Sequence, residues 1–220
     1  MTLRTVDADR RIRAIECAAP LSLWLLDLTI APSADERAWL SPFEVERAAR
    51  FHAERDRARY VAAHVGLRIV VAATCGIDAA AQRYVRGVHG KWRLTDRSPC
   101  RFNLSYAGDI ALIGIAEDHE IGVDVEVERV VDDADALAAM YFNAREYDTY
   151  RKAGSSPAAF LGAWTRKEAC LKALGVGLQL PPIELDTGLS GDCLVVHGGS
   201  RIDVGSLRID GLVAAWARVR

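Results

Sequence analysis

The stretch IGVDVEVE, residues 121–128, alternates apolar with acidic or small side chains at a period of two. In a β-strand this period places the isoleucine and valines on one face and Gly122, Asp124, Glu126 and Glu128 on the other. Three carboxylates on one strand face repel each other unless water or a cation relieves them. The stretch therefore predicts a strand whose acidic face is either open to solvent or part of a cation site.

Composition sets broad limits on the answer. The chain has 220 residues, is 50% hydrophobic and 26% charged, and carries a formal net charge of −2. These are ordinary values for a soluble globular protein, and the length is enough for a sizeable core. The charge offers no general attraction to nucleic acid or to an anionic membrane, so we expect neither as a partner. Affinity for phosphates would have to come from local clusters of basic residues.

The five cysteines are scattered singly, without a C-x-x-C pair. We therefore expect neither a disulfide framework nor a cysteine zinc site, and a reducing, cytoplasmic location fits best. The apolar stretch LSLWLLDLTI (21–30) is read as a buried strand, since it is too short to span a bilayer.

Helix signals are clear in the first half of the chain. Ser41, Pro42 and Glu44 have the spacing of a capping box with proline at the first helical position. The helical stretch from there is rich in arginine. The mostly apolar segment 60–74 then predicts a buried helix that stops near Gly76.

The second half predicts strands around two helices. Segments 101–107, 109–117 and 121–130 suggest an antiparallel meander, and helices are expected at about 134–152 and 157–174. CLVVH, RIDVGSLRID and LVAAWARV then return to strand patterns. Strands and helices that do not strictly alternate indicate an α+β fold.

The helix predicted at 157–174 contains WTRKEACLKALG (164–175). Trp164, Glu168 and Lys172 follow each other at intervals of four, so they lie along one stripe. A glutamate followed four residues later by a lysine is a common surface ion pair of an exposed helix. The tryptophan next to Glu168 favours a partly covered site instead of open water.

Other chemistries have little support. The chain lacks G-x-S-x-G, H-E-x-x-H and a Walker-type loop, and its histidines show no ligand spacing. Each histidine is expected to be a surface or satisfied core residue. The arginines between 47 and 59 form either a solvated face or a platform for phosphates.

Three motifs occur in order: FNLSYAGD (102–109), IGVDVE (121–126) and WTRKEACLK (164–172). Together they resemble the phosphopantetheinyl transferases of the type that activates surfactin synthetase. The resemblance covers roughly residues 90–180. It implies transfer of the 4′-phosphopantetheine arm of coenzyme A to a serine of an apo acyl or peptidyl carrier protein, with Mg²⁺ (Mn²⁺ as the alternative) and release of 3′,5′-ADP. Such reactions serve polyketide, nonribosomal peptide or fatty acid biosynthesis.

The resemblance also implies roles for individual residues. Asp124 and Glu126 would hold the metal, and Glu168 would complete its shell or deprotonate the serine. Lys172 would stabilise charge on the pyrophosphate. The expected contacts of coenzyme A are Arg55, Arg59, Lys91, Ser105, Tyr106, Lys167 and Lys172. Glu128 lies beyond the pattern and is expected to face solvent.

Two positions depart from the family pattern. Tyr106 stands where the family has a histidine that faces the phosphates of coenzyme A, and Ala107 stands where it has a serine. Tyrosine keeps a donor but brings no positive charge near neutral pH. A catalytically weak or silent member that binds carrier protein or coenzyme A therefore stays an alternative, as does a different Mg²⁺-dependent phosphodiester enzyme.

For the fold, the resemblance implies two similar α+β subdomains related by a pseudo-twofold, with the active site in the cleft between them. We expect residues 1–115 to form the first subdomain, with the phosphate contacts of coenzyme A. Residues 116–220 would form the second, with the metal-binding strand and the catalytic helix. A monomer is expected.

Overall fold

The computed structural model describes residues 3–5, 11–17, 20–95 and 98–220. Its strands are β1 Leu3–Thr5, β2 Ile12–Ile15, β3 Ser22–Asp27, β4 Tyr84–Arg86, β5 Trp92–Leu94, β6 Cys100–Ala107, β7 Ile110–Glu117, β8 Ile121–Val127, β9 Cys193–His197, β10 Ser200–Ile209 and β11 Leu212–Val219. Its α-helices are α1 Ala34–Arg37, α2 Pro42–Ala49, α3 Glu54–Cys75, α4 Ala134–Tyr141, α5 Ala144–Lys152 and α6 Pro157–Leu174. The mixed architecture agrees with the predicted α+β class.

The strands form two larger sheets and one hairpin. The first sheet has the order β1-β2-β3-β7-β6 and the second has the order β8-β11-β10-β9, with antiparallel neighbours throughout. β4 and β5 pair with each other. The predicted meander is therefore wrong at its third strand, because β8 leaves β7 and pairs with β11. The change of sheet lies between Glu117 and Ile121, so the predicted subdomain boundary at 115/116 falls in the last residues of β7.

Alternating strand residues explain how the two sheets stack. Leu23 and Leu25 of β3 share a buried cluster with Val123 and Val125 of β8, so this core lies between the sheets. The opposite face of the first sheet packs on α3, and that of the second sheet packs on α6. The result is a layered order of α3, first sheet, second sheet and α6, in which both sheets are covered on both faces.

The middle of α3 is buried between the first sheet and the short helices α1 and α2. Of the helices in the described residues, it alone is long and apolar enough to cross a membrane, but 56% of the apolar window is buried within the protein. A buried core helix has the same composition, so this is weak grounds for a membrane span. α3 ends as predicted at Gly76, which adopts a left-handed conformation with φ of 69°.

The capping box at the start of α2 is confirmed. Ser41 accepts a hydrogen bond from the backbone of Glu44, and the Glu44 carboxylate accepts one from the backbone of Ser41. Burial alone would raise the pKa of Glu44, yet hydrogen bonds from His64 and Ser41 and the charge of Arg68 lower it to about 2. This carboxylate therefore links the start of α2 to the middle of α3.

The structure differs from the sequence-based expectations at two further places. The helix predicted at 134–152 is split, because Asn143 starts a new helix with its own capping box and the preceding Phe142 is extended and buried. In addition, Cys75 and Cys100 form a disulfide, although no pairing was expected. The shared core places the end of α3 beside the start of β6, a proximity that 25 residues of separation conceal in the sequence.

Gly122 sets the distance between β8 and α6. A Cβ atom at this position would lie 2.0 Å from the carbonyl oxygen of Ala169 and 2.4 Å from the backbone nitrogen of Ala173. Both contacts are with helix backbone, which cannot rotate away as a side chain can. Only glycine allows the helix to approach the strand this closely.

We expect Gly122→Ala to lower the free energy of unfolding by about 2 kcal/mol or more, because the helix must shift away from the strand. Thermal unfolding followed by circular dichroism would measure this. Gly87→Ala is the matched control, since its Cβ would meet only the carbonyl oxygen of Lys91, at 3.4 Å. Equal melting temperatures for the two variants would contradict the role given to Gly122.

Candidate functional site

The edges of the two sheets meet at β6 and β8. The side chain of Asn103 on β6 accepts a hydrogen bond from the backbone nitrogen of Val123, at 2.9 Å. Two residues further along, the Ser105 hydroxyl donates to Oδ1 of Asp124, at 2.8 Å. Side chains thus replace the backbone ladder at this seam, which explains the asparagine and the serine of the FNLSYA motif. Sequence reasoning assigned no role to Asn103.

Lys172 of α6 reaches the same carboxylate. Its ammonium lies 2.5 Å from Oδ1 of Asp124 and 3.1 Å from the Ser105 hydroxyl. The close packing at Gly122 makes this contact possible, because it presses the last turns of α6 against β8. The structure therefore brings together Ser105, Asp124 and Lys172, although 67 positions separate the first from the last in the sequence.

Asp124 is buried and only half satisfied. Its Oδ1 accepts from Ser105 and Lys172, whereas its Oδ2 has no hydrogen-bond partner among the described residues. A buried carboxylate oxygen without a partner is costly and uncommon. This oxygen points to a ligand that the protein itself does not supply.

Two further carboxylates face Asp124. Burial raises the pKa of Glu126, with Arg129 opposing the rise and Asp124 adding to it. Burial also raises the pKa of Glu168. The positive charge of Lys172 opposes this rise, and the negative charges of Asp124 and Glu126 add to it. The mutual repulsion shows that the three acids share one region. Glu128 is exposed, as predicted.

The acids form an incomplete cation site. Within the described ranges, no three histidine, cysteine, aspartate or glutamate side chains are already arranged to hold a metal ion. A hard cation such as Mg²⁺ nevertheless needs only one or two carboxylates and takes phosphate oxygens and water for the rest. The free Oδ2 of Asp124 and its acidic neighbours fit such an ion.

A cavity of about 370 Å³ opens beside Lys172. α2, α3, the β4–β5 hairpin, β6 and the end of α6 provide its walls. Among the described residues, four arginine and lysine side chains line it and no aspartate or glutamate does; the four are Arg47, Arg86, Lys91 and Lys172. An anionic ligand of moderate size suits this lining.

Aromatic rings hold two of these cations in place. The guanidinium of Arg86 lies 4.9 Å from the ring centre of Trp92, and that of Arg47 lies 5.3 Å from the ring centre of Phe51. Neither arginine forms an ion pair with a carboxylate in the part of the chain that the structure describes. Both are therefore free to bind an anion. Arg47 belongs to the arginine-rich stretch 47–59, which was expected to be a solvated face or a platform for phosphates, whereas Arg86 was not expected to take part.

The predicted contacts of coenzyme A divide into two groups. Lys91, Tyr106 and Lys172 line the cavity, and Ser105 lies directly behind it. Arg55 and Arg59 are not among its lining residues. Arg55 is exposed, and Arg59 is held by Asp109 at 2.7 Å.

Lys91 lines the cavity mainly with the methylene groups of its side chain. Its ammonium lies 2.7 Å from Glu120 and donates to the carbonyl oxygens of Ile121 and Ala173. Burial lowers the pKa of Lys91, and the bond to Glu120 opposes this. The lysine thus ties the hairpin loop to β8 and α6, so its ammonium is already engaged.

Lys167 lies outside the cavity. Its side chain is fully buried, pairs with Glu146 at 2.7 Å and donates to the carbonyl oxygens of Pro182 and Leu185. Three partners use all the donors of an ammonium group. Although it was predicted to contact coenzyme A, the structure places Lys167 in a structural ion pair on the far side of α6.

The sequence is similar to those of known phosphopantetheinyl transferases. Residues 120–196 match the 4′-phosphopantetheinyl transferase superfamily. The chain is 34% identical to the 4′-phosphopantetheinyl transferase HetI of Nostoc sp. over 171 residues. This alignment covers 74% of this chain and 72% of HetI. The chain belongs to the phosphopantetheinyl transferase family and is a transferase.

Two further relatives widen this comparison. The 4′-phosphopantetheinyl transferase Sfp of Bacillus subtilis is 25% identical over 160 residues, covering 71% of this chain and 70% of Sfp. A segment of the fatty acid synthase subunit alpha of Penicillium patulum is 35% identical over 98 residues, covering 41% of this chain and 5% of that protein. The similarity to Sfp agrees with the surfactin-type resemblance found in the motifs.

We expect Lys167→Met to lower the free energy of unfolding by about 3 kcal/mol or more, because it leaves Glu146 as a buried charge without its cation. Chemical denaturation would measure the loss. The control is Lys152→Met on α5, which removes an exposed pair with Asp148 and should cost less than about 1 kcal/mol. If Lys167→Met were as stable as the control, the structural role of Lys167 would be refuted.

Proposed function

We propose that this transferase moves the 4′-phosphopantetheine arm of coenzyme A to a serine hydroxyl of an apo acyl or peptidyl carrier protein in the cytoplasm. The observation that carries the proposal is the position of Lys172. Its ammonium lies on Asp124, and its side chain also lines the cationic cavity. Lys172 therefore connects a place for phosphates with a place for a divalent cation.

The reaction makes and breaks one bond at phosphorus. The serine oxygen attacks the phosphorus that bears pantetheine, and the bond from that phosphorus to the bridging oxygen breaks. The electron pair leaves with the bridging oxygen on 3′,5′-ADP, and the serine proton goes to a base. Such a transfer depends on positioning and on neutralising the phosphate charge.

The cavity supplies much of that neutralisation. Arg47 and Arg86 are held on aromatic rings and have no carboxylate partner among the described residues, so they suit the phosphates of coenzyme A. Lys172 is at the inner end, where it can stabilise charge on the bridging oxygen. Tyr106, also in the wall, has its pKa raised by burial, so its phenol is a neutral donor.

The acidic cluster supplies the metal ligands in this proposal. Asp124 and Glu126 would hold Mg²⁺, or Mn²⁺ in its place, and Glu168 would complete the set or accept the serine proton. When bound, the ion would neutralise charge on the pyrophosphate. The pKa of Glu168, raised by burial, favours its use as a base because a stronger base accepts a proton more readily.

The seam between the sheets supports the implied cleft. Ser105 and Asn103 come from the first sheet, whereas Asp124 and Lys172 belong to the second sheet and its helix. We propose that these two parts are the similar subdomains, related by a pseudo-twofold, and that the reaction takes place where they meet.

The direct test is a transfer assay with purified protein, coenzyme A, Mg²⁺ and an apo carrier protein. Intact mass spectrometry should show the carrier gaining one phosphopantetheine group, and chromatography should show an equal amount of 3′,5′-ADP. A chelator should stop both, and added Mg²⁺ should restore them. No mass gain on acyl or on peptidyl carriers would refute the proposed function.

We expect Asp124→Asn and Glu168→Gln each to lower kcat by about 10²-fold or more, because each removes a ligand or a base. Initial rates of 3′,5′-ADP release would measure this, with melting temperatures to confirm folding. Glu128→Gln, one residue past the end of β8, is the matched control and should keep its rate, since Glu128 is exposed. Near-native turnover in either of the first two variants would remove that residue from the site.

A further inference from the structure

His64 forms part of the cavity wall. It lies in the middle of α3, is only 7% exposed and is among the residues that line the cavity. Its ring stacks on Tyr60 with 4.0 Å between the ring centres. His64 is therefore a buried, hydrogen-bonded histidine, as expected, whose ring also forms part of the wall of a cationic cavity.

One ring nitrogen of His64 is already committed. Nδ1 lies 2.9 Å from Oε1 of Glu44. With its pKa lowered to about 2, Glu44 stays ionised at neutral pH and can only accept hydrogen bonds. Nδ1 must therefore carry a proton, and the tautomer of His64 is determined by its neighbour.

The other nitrogen, Nε2, is left for the cavity. It makes no hydrogen bond within the residues that the structure describes. Since Nδ1 holds the proton of the neutral ring, Nε2 of neutral His64 has only a lone pair, which repels a phosphate oxygen. It can donate to a phosphate only after the ring has bound a second proton.

We propose that His64 is a proton-linked phosphate contact, which binds an oxygen of coenzyme A as the imidazolium and takes up a proton from solvent when the ligand binds. The inference rests on the proposed function, because it needs a phosphate in this cavity. The step forms an N–H bond at Nε2 and a hydrogen bond from it to the phosphate, and the proton comes from the buffer.

Opposing charges surround the ring. In the empty cavity the ring lies between the carboxylate of Glu44 and a wall lined by arginine and lysine side chains. The charged and titratable groups around the ring and in the cavity wall are Glu44 and Arg47 of α2, Tyr60 and Arg68 of α3, Arg86 of β4, His89 and Lys91 of the hairpin loop, Tyr106 of β6 and Lys172 of α6. Coenzyme A brings negative phosphate charge into this cavity, and that charge favours the protonated ring.

The sign of the effect follows. A ligand that binds the protonated form better must bind more weakly as the pH rises through the range in which imidazole loses its proton, about 5 to 8. Phosphate monoesters themselves take up protons near pH 6. The measurement therefore belongs above about pH 7, where the phosphate is almost fully ionised.

Calorimetric titration of the protein with coenzyme A at about pH 7.5 tests the proposal, without turnover. Repeating it in buffers with different ionisation enthalpies counts the protons exchanged. We expect a fraction of a proton to be taken up per coenzyme A, and we expect His64→Gln to abolish the uptake and raise Kd about tenfold, since a charge-assisted hydrogen bond is lost.

His89→Gln is the matched comparison, because His89 is exposed and lines the same cavity. It should keep the uptake. Loss of the uptake in His89→Gln but not in His64→Gln would overturn the assignment. For the wild-type protein, Kd should rise between about pH 7 and 8.5, a measurement that does not depend on the folding of any variant.

The outcomes separate the two proposals. Coenzyme A binding with no proton uptake, or with a Kd that does not change with pH, would overturn the role of His64 and leave the transferase proposal standing. If coenzyme A neither bound nor supported transfer, the proposed function would fail and this inference with it.

Discussion

The contact between α6 and β8 at Gly122 is the constraint on which the site depends. A side chain at this position would lie within 2.0 Å of the helix backbone, so the strand and the helix are as close as two backbones can pack. That closeness brings Lys172 within hydrogen-bonding distance of Asp124. The glycine of the IGVDVE motif and the lysine of WTRKEACLK are thus parts of one packing arrangement, although about 50 residues separate them.

Next to that contact, the two oxygens of the buried Asp124 carboxylate have unequal numbers of hydrogen-bond partners. Lys172 and Ser105 satisfy one oxygen of Asp124, and the other oxygen is buried with no partner in the described part of the chain. The raised pKa values of Glu126 and Glu168 have burial as their main cause and repulsion between the acids as a further one. Folding tolerates this arrangement because the hydrogen bonds of Asn103, Ser105 and Lys172 satisfy the rest of the seam.

The sequence predicted local features well and long-range ones poorly. The capping signal at Ser41 and the left-handed Gly76 depend on neighbouring residues, so both could be predicted. The alternation in β8 correctly separated Asp124 from the valines that pack between the sheets. The pairing of β8 with β11 could not be predicted, since a strand pattern does not name its partner.

The candidate site shows the same division. The motif pattern selected Asp124, Glu168 and Lys172, which the structure brings into one region. Lys167, in contrast, is adjacent to Glu168 in the sequence and points away from it, because neighbouring residues on a helix face different directions. The motif alone cannot tell a lysine that supports the fold from one that faces the cavity.

The cavity itself depends on residues that lie outside the three sequence motifs. Arg86 and Arg47 become useful because Trp92 and Phe51 lie beneath them, and His64 because Glu44 determines its tautomer. Each of these pairs joins a charged group with a partner that orients it. The capping carboxylate of Glu44 belongs to both the fold and the cavity, since its Oε2 accepts from the backbone of Ser41 at the start of α2 and its Oε1 binds the ring of His64. In this half of the protein, the interactions that stabilise the helices are therefore the ones that prepare the cavity for an anion.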